Sequence, residues 1–133
     1  MNEVVIDGSN ALLGRLASYA AKQALKGRSI VIVNCNGVVI SGKPRMVIEH
    51  YKELRGRGGA SMKGPFFPKI PERVVKRTIR GMLPYQQERG LSALKRVRCY
   101  NLLPEEYKDS KMIKAGKEKH IKTVPLKELS EKI

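Results

Sequence analysis

The feature that most restricts the fold is a short segment, Ser29 to Asn34, in which apolar, mostly β-branched residues fall on both faces of a predicted strand. Such a continuous apolar run is typical of the central strand of a parallel sheet, because both of its faces are covered. A second apolar run, Val4 to Ile6, lies upstream, and the residues between the two runs predict a helix from about Ala11 to Lys26. Strand, helix and strand in this order predict a βαβ unit.

The helix between these strands is predicted to pack closely against the sheet. Its inner face carries one leucine and four alanines at three- and four-residue spacing, namely Leu13, Ala17, Ala20, Ala21 and Ala24. Because these side chains are small, the helix axis can approach the strands. The segment Asp7 to Asn10 supplies turn and N-cap chemistry, so we expect Asp7 to cap the helix, and Gly27 is placed to end it.

The rest of the chain predicts further strands and helices separated by Gly- and Pro-rich segments. They are a strand at Val38 to Ile40, a helix from Pro44 to about Leu54, a helix from Pro71 to about Met82, a short helix around Leu91 to Lys95, a strand at Val97 to Tyr100 and a terminal helix after Pro125. The helix from Pro44 has a predicted buried stripe of Met46, Val47, His50, Tyr51 and Leu54. We expect one domain over residues 1–133, with a long basic loop at 55–71 and a Lys-rich tail at 104–133.

The net charge indicates the kind of partner. The chain has 27 Lys and Arg against 12 Asp and Glu, a formal charge of +15. A basic field of this size attracts polyanions, and nucleic acid first among them. Residues 43–103 carry +11 of this charge and nine of the eleven arginines. Because the arginine guanidinium binds phosphate in a bidentate manner, this segment is predicted to contact the partner.

Within this segment, the helix from Pro71 separates charged from apolar residues. Its apolar face is predicted to comprise Val75, Ile79 and Met82, and its basic face Arg73, Lys76, Arg77 and Arg80. Burial of the first face turns the second towards solvent, which favours phosphate contacts. Arg80 has an alternative interpretation, in which it braces the turn at Gly81. The Gly-rich stretch that begins at Arg55 has the composition of segments that follow a nucleic-acid backbone.

Motifs for catalysis, metals and cofactors are missing from the sequence. Five residues separate Gly8 from Gly14, where a Walker A motif has four, and Arg15 stands where that motif has its lysine. His50 and His120 lack metal-ligand spacing, and Asp7 alone does not form an acid–base pair. We therefore expect no enzyme activity, metal, cofactor or small-molecule substrate.

Membrane insertion and export are also excluded by the sequence pattern. The apolar stretches are a few residues long, whereas a membrane-spanning helix needs about 20, and no signal-peptide pattern follows Met1. We expect a cytoplasmic protein without a membrane partner. Its two cysteines, Cys35 and Cys99, are then interpreted as reduced, small buried side chains.

Several blocks of the sequence resemble the large-subunit ribosomal protein L13 family, in its archaeal form. They are Ile6-Asp7-Gly8, Leu13-Gly14-Arg15-Leu16-Ala17-Ser18, Val33-Asn34-Cys35, Ser41-Gly42-Lys43 and, most specifically, Ile79-Arg80-Gly81-Met82-Leu83-Pro84 with Gly90, Leu94 and Val97 to Tyr100. The blocks follow one another in order over roughly three quarters of the chain. The tail after Tyr107 departs from the pattern.

The resemblance implies a three-layer α/β/α fold with a small, mostly parallel four-stranded sheet. It also implies a structural component of the large ribosomal subunit, with large-subunit ribosomal RNA and neighbouring large-subunit proteins as its partners. We expect the following residues to hold the RNA backbone: Lys43, Arg45, Arg55, Arg57, Lys63, Lys69, Arg73, Lys76, Arg77 and Arg80, with Arg89, Arg96 and Arg98 in support. Two alternatives are a nucleotide-processing enzyme built on the βαβ unit and a sequence-neutral DNA-binding protein.

Overall fold

The computed structural model describes residues 3–56, 68–108, 112–114 and 123–132. In chain order the elements are β1 (Glu3–Asp7), α1 (Leu13–Leu25), β2 (Ser29–Val33), β3 (Val39–Ser41), α2 (Pro44–Gly56), α3 (Pro71–Gly81), α4 (Glu88–Lys95), β4 (Val97–Cys99), β5 (Met112–Ile113), β6 (Thr123–Pro125) and α5 (Leu126–Lys132). Two 3₁₀ turns, Cys35–Gly37 and Glu105–Tyr107, connect neighbouring elements. No helix among these residues is both long and apolar enough to span a membrane.

The main sheet confirms the predicted α/β class. Its four strands lie in the order β4-β2-β1-β5, and every neighbouring pair is parallel. Strand β2 is central, as its apolar pattern predicts, and Ile30, Val31, Ile32 and Val33 are all buried. The first two strands and α1 form the predicted βαβ unit, in which Val5 is paired with Val31.

The two faces of the sheet differ in what covers them. Ile6, Ile30 and Ile32 belong to the large core that includes residues of α1, α3, α4 and α5. Val5, Val31 and Val33 point to the opposite face, where they pack with the buried Tyr107. In the described part of the chain the second face is therefore covered by the Glu105–Tyr107 turn.

Helix α1 begins two residues later than predicted because the preceding residues take part in sheet-like pairing. Leu12 forms a parallel bridge with Val39, and the Val39 N–H donates to the Ala11 carbonyl at 2.8 Å. The inner face of small residues is confirmed, since Ala17, Ala20 and Ala24 are fully buried. This small-residue face packs on α3 and α4 as well as on the sheet.

Asp7 does not cap α1, so that prediction is wrong. The residue before the helix is Leu12, which has no side chain able to cap. The Asp7 carboxylate instead accepts hydrogen bonds from the Ser9 N–H at 3.0 Å and the Asn34 side-chain amide at 3.1 Å. Asn34 has a φ of 59°, a left-handed conformation. Asp7 therefore ties the turn after β1 to the turn after β2.

Because of these contacts of Asp7, the free energy of unfolding is expected to change with pH in the acid range. Burial alone raises the pKa of Asp7, but the hydrogen bonds from Ser9 and Asn34 and the charge of Lys114 together hold it below its ordinary value. The carboxylate thus contributes stability above its unfolded pKa and loses that contribution as the pH falls through the folded pKa. We expect Asp7→Asn to be less stable than wild type at neutral pH, with the difference shrinking as the pH falls through the lowered pKa of Asp7. Urea unfolding at a series of pH values measures this difference in unfolding free energy. A difference that stays the same at acid pH would contradict the prediction. Glu3→Gln, which removes another carboxylate of β1, is the control.

The tail contributes more to the fold than its sequence pattern predicts. Strand β5 forms the fourth strand of the main sheet, while β3 and β6 pair antiparallel in a separate two-stranded sheet. The terminal helix is confirmed, and Val124, Leu126 and Leu129 are almost completely buried. The segment thus completes the core.

Two predicted apolar faces are narrower in the structure. On α2, Val47 is buried and Tyr51 and Leu54 are half-buried, but Met46 is 66% exposed and His50 is exposed. The predicted burial of these last two side chains is wrong, because α2 packs against β6 while Met46 and His50 face solvent.

On α3, the predicted burial of Met82 is also wrong. The helix ends at Gly81, so its periodicity no longer applies one residue later. Met82 is 44% exposed, and Leu83 is buried in its place.

Candidate nucleic-acid interface

Helix α3 positions the first group of candidate residues. Val74, Val75 and Ile79 are buried against the core, so the opposite face of the helix is turned outward. Arg73 and Arg80 are exposed on that face, and Lys76 and Arg77 are half-buried. The amphipathic pattern therefore sets the direction of the cations, as predicted.

The same helix runs beside the edge strand β4. The Lys76 ammonium donates a hydrogen bond to the Val97 carbonyl at 3.0 Å, and the Asn101 side-chain oxygen accepts one from the Glu72 N–H at 2.9 Å. These two bonds join α3 to the start of β4 and to the residues that follow it. Lys76 thus has a structural contact in addition to its predicted role at phosphate.

Between α3 and β4 lies a cavity of about 310 Å³, which we call the α3–β4 groove. Three of its lining residues are predicted candidates that are distant in sequence, and they come from both elements. The lining residues are Glu72, Arg73, Lys76, Arg98, Cys99 and Tyr100. Within the described residues neither Arg73 nor Arg98 forms an ion pair, so both guanidinium groups can bind an anion.

A second basic cavity of about 350 Å³ lies on the other side of Arg98. It is lined by Glu3, Ser29, Val31, Lys95, Arg96 and Arg98. The Arg96 guanidinium donates to the Ala24 carbonyl at 3.0 Å near the end of α1, which fixes the side chain in place. Because Arg98 lines both cavities, the basic surface is continuous around β4.

Arg80 has a distinct environment. Its guanidinium carbon lies 4.6 Å from the centre of the Tyr85 ring, which is a cation–π contact across the turn after α3. This contact agrees with the alternative in which Arg80 braces the turn. The remaining guanidinium donors are still available for phosphate, because Arg carries five N–H groups.

Other candidates lie outside the groove. Lys43, Lys69 and Arg89 are exposed, and Arg45 is paired with Glu49 at 3.3 Å on the surface of α2. Arg55 lies in the last turns of α2, which extends to Gly56 and so includes the first two residues of the predicted loop. Arg57 and Lys63 lie outside the described residues.

Two residues of this surface were missed at the sequence level. Lys95 ends α4 and lines the second cavity, and Tyr100 follows β4 and lines the groove. The alternation at Val97 to Tyr100 already places Arg98 and Tyr100 on one face of the strand. That these two residues lie beside α3 could be inferred only once β4 is known to be an edge strand next to that helix.

The two cysteines are close to each other, and only one matches its prediction. Cys35 is buried, and a hydrogen bond with Cys99 together with burial raises the pKa of the Cys35 thiol, so it stays protonated. Cys99 is half-buried and lines the groove, so the prediction that it is a buried residue is wrong. Among the described residues no three His, Cys, Asp or Glu side chains form a group able to hold a metal ion.

An α/β domain with arginines and lysines gathered at a sheet edge is typical of the nucleic-acid-binding class of proteins. Comparison with known proteins gives the family. The family model of ribosomal protein L13 matches residues 1–106, and the chain belongs to that family.

Archaeal relatives are similar over most of the chain. A protein of Methanosarcina barkeri is 49% identical over 110 residues, which cover 82% of this chain and 78% of the relative. One of Archaeoglobus fulgidus is 51% identical over 102 residues, covering 77% of this chain and 65% of the relative. One of Thermoplasma volcanium is 39% identical over 132 residues, covering 97% and 96%. All three are named large ribosomal subunit protein uL13.

Proposed function

We propose that this protein is a structural constituent of the large ribosomal subunit, where it acts as one RNA-binding domain on ribosomes in the cytoplasm. It binds large-subunit ribosomal RNA mainly through phosphate and shape contacts, lies beside other large-subunit proteins and supports subunit assembly and translation. The observation that carries the proposal is the α3–β4 groove, in which Arg73, Lys76 and Arg98 line one cavity. Membership of the ribosomal protein L13 family supports it independently.

The physical mechanism is neutralisation of phosphate charge. RNA releases condensed counterions when Lys and Arg replace them, and this release provides a large part of the binding free energy. Arg73 and Arg98 are exposed and free of ion pairs within the described residues, so binding RNA does not require them to break a contact with a carboxylate. Bonds from α3 to β4 hold their backbones at a fixed separation, which favours RNA of matching shape.

The two alternatives lack comparable support. A nucleotide-processing enzyme needs a phosphate-binding loop, and the turn after β1 is instead closed by Asp7 and Asn34. The alternative of a sequence-neutral DNA-binding protein predicts equal affinity for duplex DNA and structured RNA. By contrast, the three archaeal relatives all carry the name of a large-subunit ribosomal protein.

The double variant Arg73→Ala/Arg98→Ala tests the role of the groove. We expect it to fold normally and to bind large-subunit ribosomal RNA more weakly. The slope of log affinity against log salt should fall by roughly 1.4 to 1.8, because each lost phosphate contact removes about 0.7 to 0.9. Filter binding over a series of potassium chloride concentrations measures both quantities.

The matched control is Lys22→Ala/Lys26→Ala, which removes two exposed charges from the end of α1. This variant should keep a slope close to that of wild type. An equal loss of slope in the two variants would mean that only total charge matters. Wild-type protein that sediments entirely apart from large subunits in a lysate gradient would contradict the proposed function itself.

A further inference from the structure

The two cysteines of the chain are far apart in sequence, and the fold brings them together at one end of the main sheet. Cys35 begins the 3₁₀ turn that follows β2, and Cys99 is the last residue of β4. Because β4 pairs with β2, Cys99 lies opposite Ile32, three residues before Cys35. RNA binding through lysines and arginines makes no use of this pair of thiols.

Backbone hydrogen bonds hold the two cysteine-bearing segments at the spacing of neighbouring strands. The Cys35 N–H donates to the Tyr100 carbonyl at 3.0 Å, and the Tyr100 N–H donates to the Ile32 carbonyl at 2.8 Å. Neighbouring strands lie about 4.7–4.9 Å apart. Disulfides join residues whose Cα atoms are usually about 4.4–6.8 Å apart. The backbone spacing is therefore one that a disulfide can span.

The two cysteine side chains also lie on the same face of the sheet. Cys35 is buried in the main core, and the half-buried Cys99 packs against that core from β4. The Cys35 sulfur lies 3.8 Å from the Ile32 carbonyl oxygen, and its thiol forms a hydrogen bond with Cys99. An S–S bond between these neighbouring sulfurs requires no change in the pairing of the strands.

The two thiols differ in their access to solvent. Cys99 lines the α3–β4 groove, so a small solute can reach its sulfur. Cys35 is 0% exposed, and its contact with Cys99 together with burial raises the pKa of its thiol. Cys99 is therefore the thiol that meets an oxidant from solution, and Cys35 is the thiol that can react with an oxidised neighbour.

We infer that Cys35 and Cys99 form a site of reversible oxidation, at which hydrogen peroxide converts the two thiols to a disulfide that ties β4 to the turn after β2. The Cys99 sulfur, after loss of its proton, attacks one peroxide oxygen. The O–O bond breaks, the departing hydroxide takes up a proton and leaves as water, and Cys99 becomes a sulfenic acid.

The second step forms the disulfide. The Cys35 sulfur attacks the Cys99 sulfur, the S–O bond breaks, and the hydroxyl group leaves with the Cys35 proton as a second water. Two thiols thus lose two electrons in total, and one peroxide is reduced to two waters. A dithiol reductant restores both thiols by thiol–disulfide exchange.

Treatment of the reduced full-length protein with hydrogen peroxide tests the site. Trypsin under non-reducing conditions should then release one disulfide-linked pair of peptides, residues 29–45 and 99–108. Alkylation of the unfolded product should find no free thiol, and dithiothreitol should restore both thiols. The oxidised protein should run as a single chain on a non-reducing denaturing gel.

Two single variants separate the roles of the thiols. In Cys35→Ala, the reaction should stop at a sulfenic acid on Cys99, which dimedone traps. In Cys99→Ala, the buried Cys35 should stay reduced and should be fully alkylated once the chain is unfolded. Both variants should unfold cooperatively before peroxide is added, which shows that the difference between them is chemical.

Thermal unfolding gives a readout that does not depend on peptide mapping. The disulfide closes a long loop of the chain, so the oxidised wild type should have a Tm about 5 to 15 °C above that of the reduced protein. Cys99→Ala is the matched control, because peroxide oxidises its methionines equally but cannot form the bond. Its Tm should not rise, and dithiothreitol should abolish the rise in wild type.

Each other result overturns the inference. Linked peptides found only in dimers would show that the bond forms between two chains. A sulfenic acid that accumulates on Cys99 of wild type without linked peptides would show that Cys35 does not reach it. Two free thiols after treatment that oxidises the exposed Met46 would show that peroxide does not reach Cys99. A lower Tm of the oxidised protein would show that the bond strains the fold.

Discussion

The Gly90→Ala variant is expected to lose about 3 kcal/mol of unfolding free energy. Gly90 is buried in α4, and a Cβ atom added there would overlap the carbonyl carbon and oxygen of Pro84 and lie 2.8 Å from the Tyr85 nitrogen. These are backbone atoms, so no rotation of a side chain relieves the overlap. Relief requires α4 to move away from the turn that follows α3. Urea unfolding of the purified variant measures the loss.

Gly14→Ala is the matched control. Gly14 lies in α1, is exposed, and has no atom within 4 Å of an added Cβ. Alanine in an open helical position stabilises by about 0.4–1 kcal/mol, chiefly because it restricts the unfolded chain. The two glycine substitutions should therefore have opposite signs, and a Gly90→Ala protein as stable as wild type would show that α4 does not pack on Pro84.

The second large effect is expected at the end of the chain. Leu129 in α5 is 1% exposed and belongs to the main core. Leu129→Ala removes buried methyl groups and leaves a cavity, which costs about 2–5 kcal/mol. Thermal and urea unfolding should both detect this loss.

Lys127→Ala on the same helix provides the comparison, because Lys127 is exposed. It should change the unfolding free energy by less than about 0.5 kcal/mol. If Leu129→Ala changes the unfolding free energy as little as Lys127→Ala does, α5 is not a part of the core. In that case the cooperative unfolding of the domain would not include α5.

The parts of the fold that were predicted correctly have strong local patterns. Ser29 to Asn34 predicted a central strand because its apolar residues leave no solvated face, and α3 was predicted because its apolar and basic residues separate at helical spacing. Strand β5 could not be predicted in this way, because it has only two residues, Met112 and Ile113. Its position depends on pairing with β1, which no local pattern records.

Only the part of the candidate interface that has a local sequence pattern was predicted. The outward direction of Arg73 and Arg80 follows from the amphipathic pattern of α3, so it could be predicted from the sequence. The α3–β4 groove needs Lys76 beside Val97, a contact set by the position of β4 at the sheet edge. Strand order is a property of the whole chain, so Arg98 could be proposed as a cation but not as a partner of Arg73.

The strand order also has a consequence for folding during synthesis. Strand β1 is made first, yet one of its two neighbours is β5, and Val5 pairs with Met112. Similarly, β3 can pair only after β6 has been synthesised, because Ile40 pairs with Val124. Such long-range pairs close slowly and only after most of the chain has emerged. A nascent chain that stops before β5 and β6 leaves strand edges and apolar core side chains uncovered, which favours its removal by quality control before it can enter a ribosomal subunit.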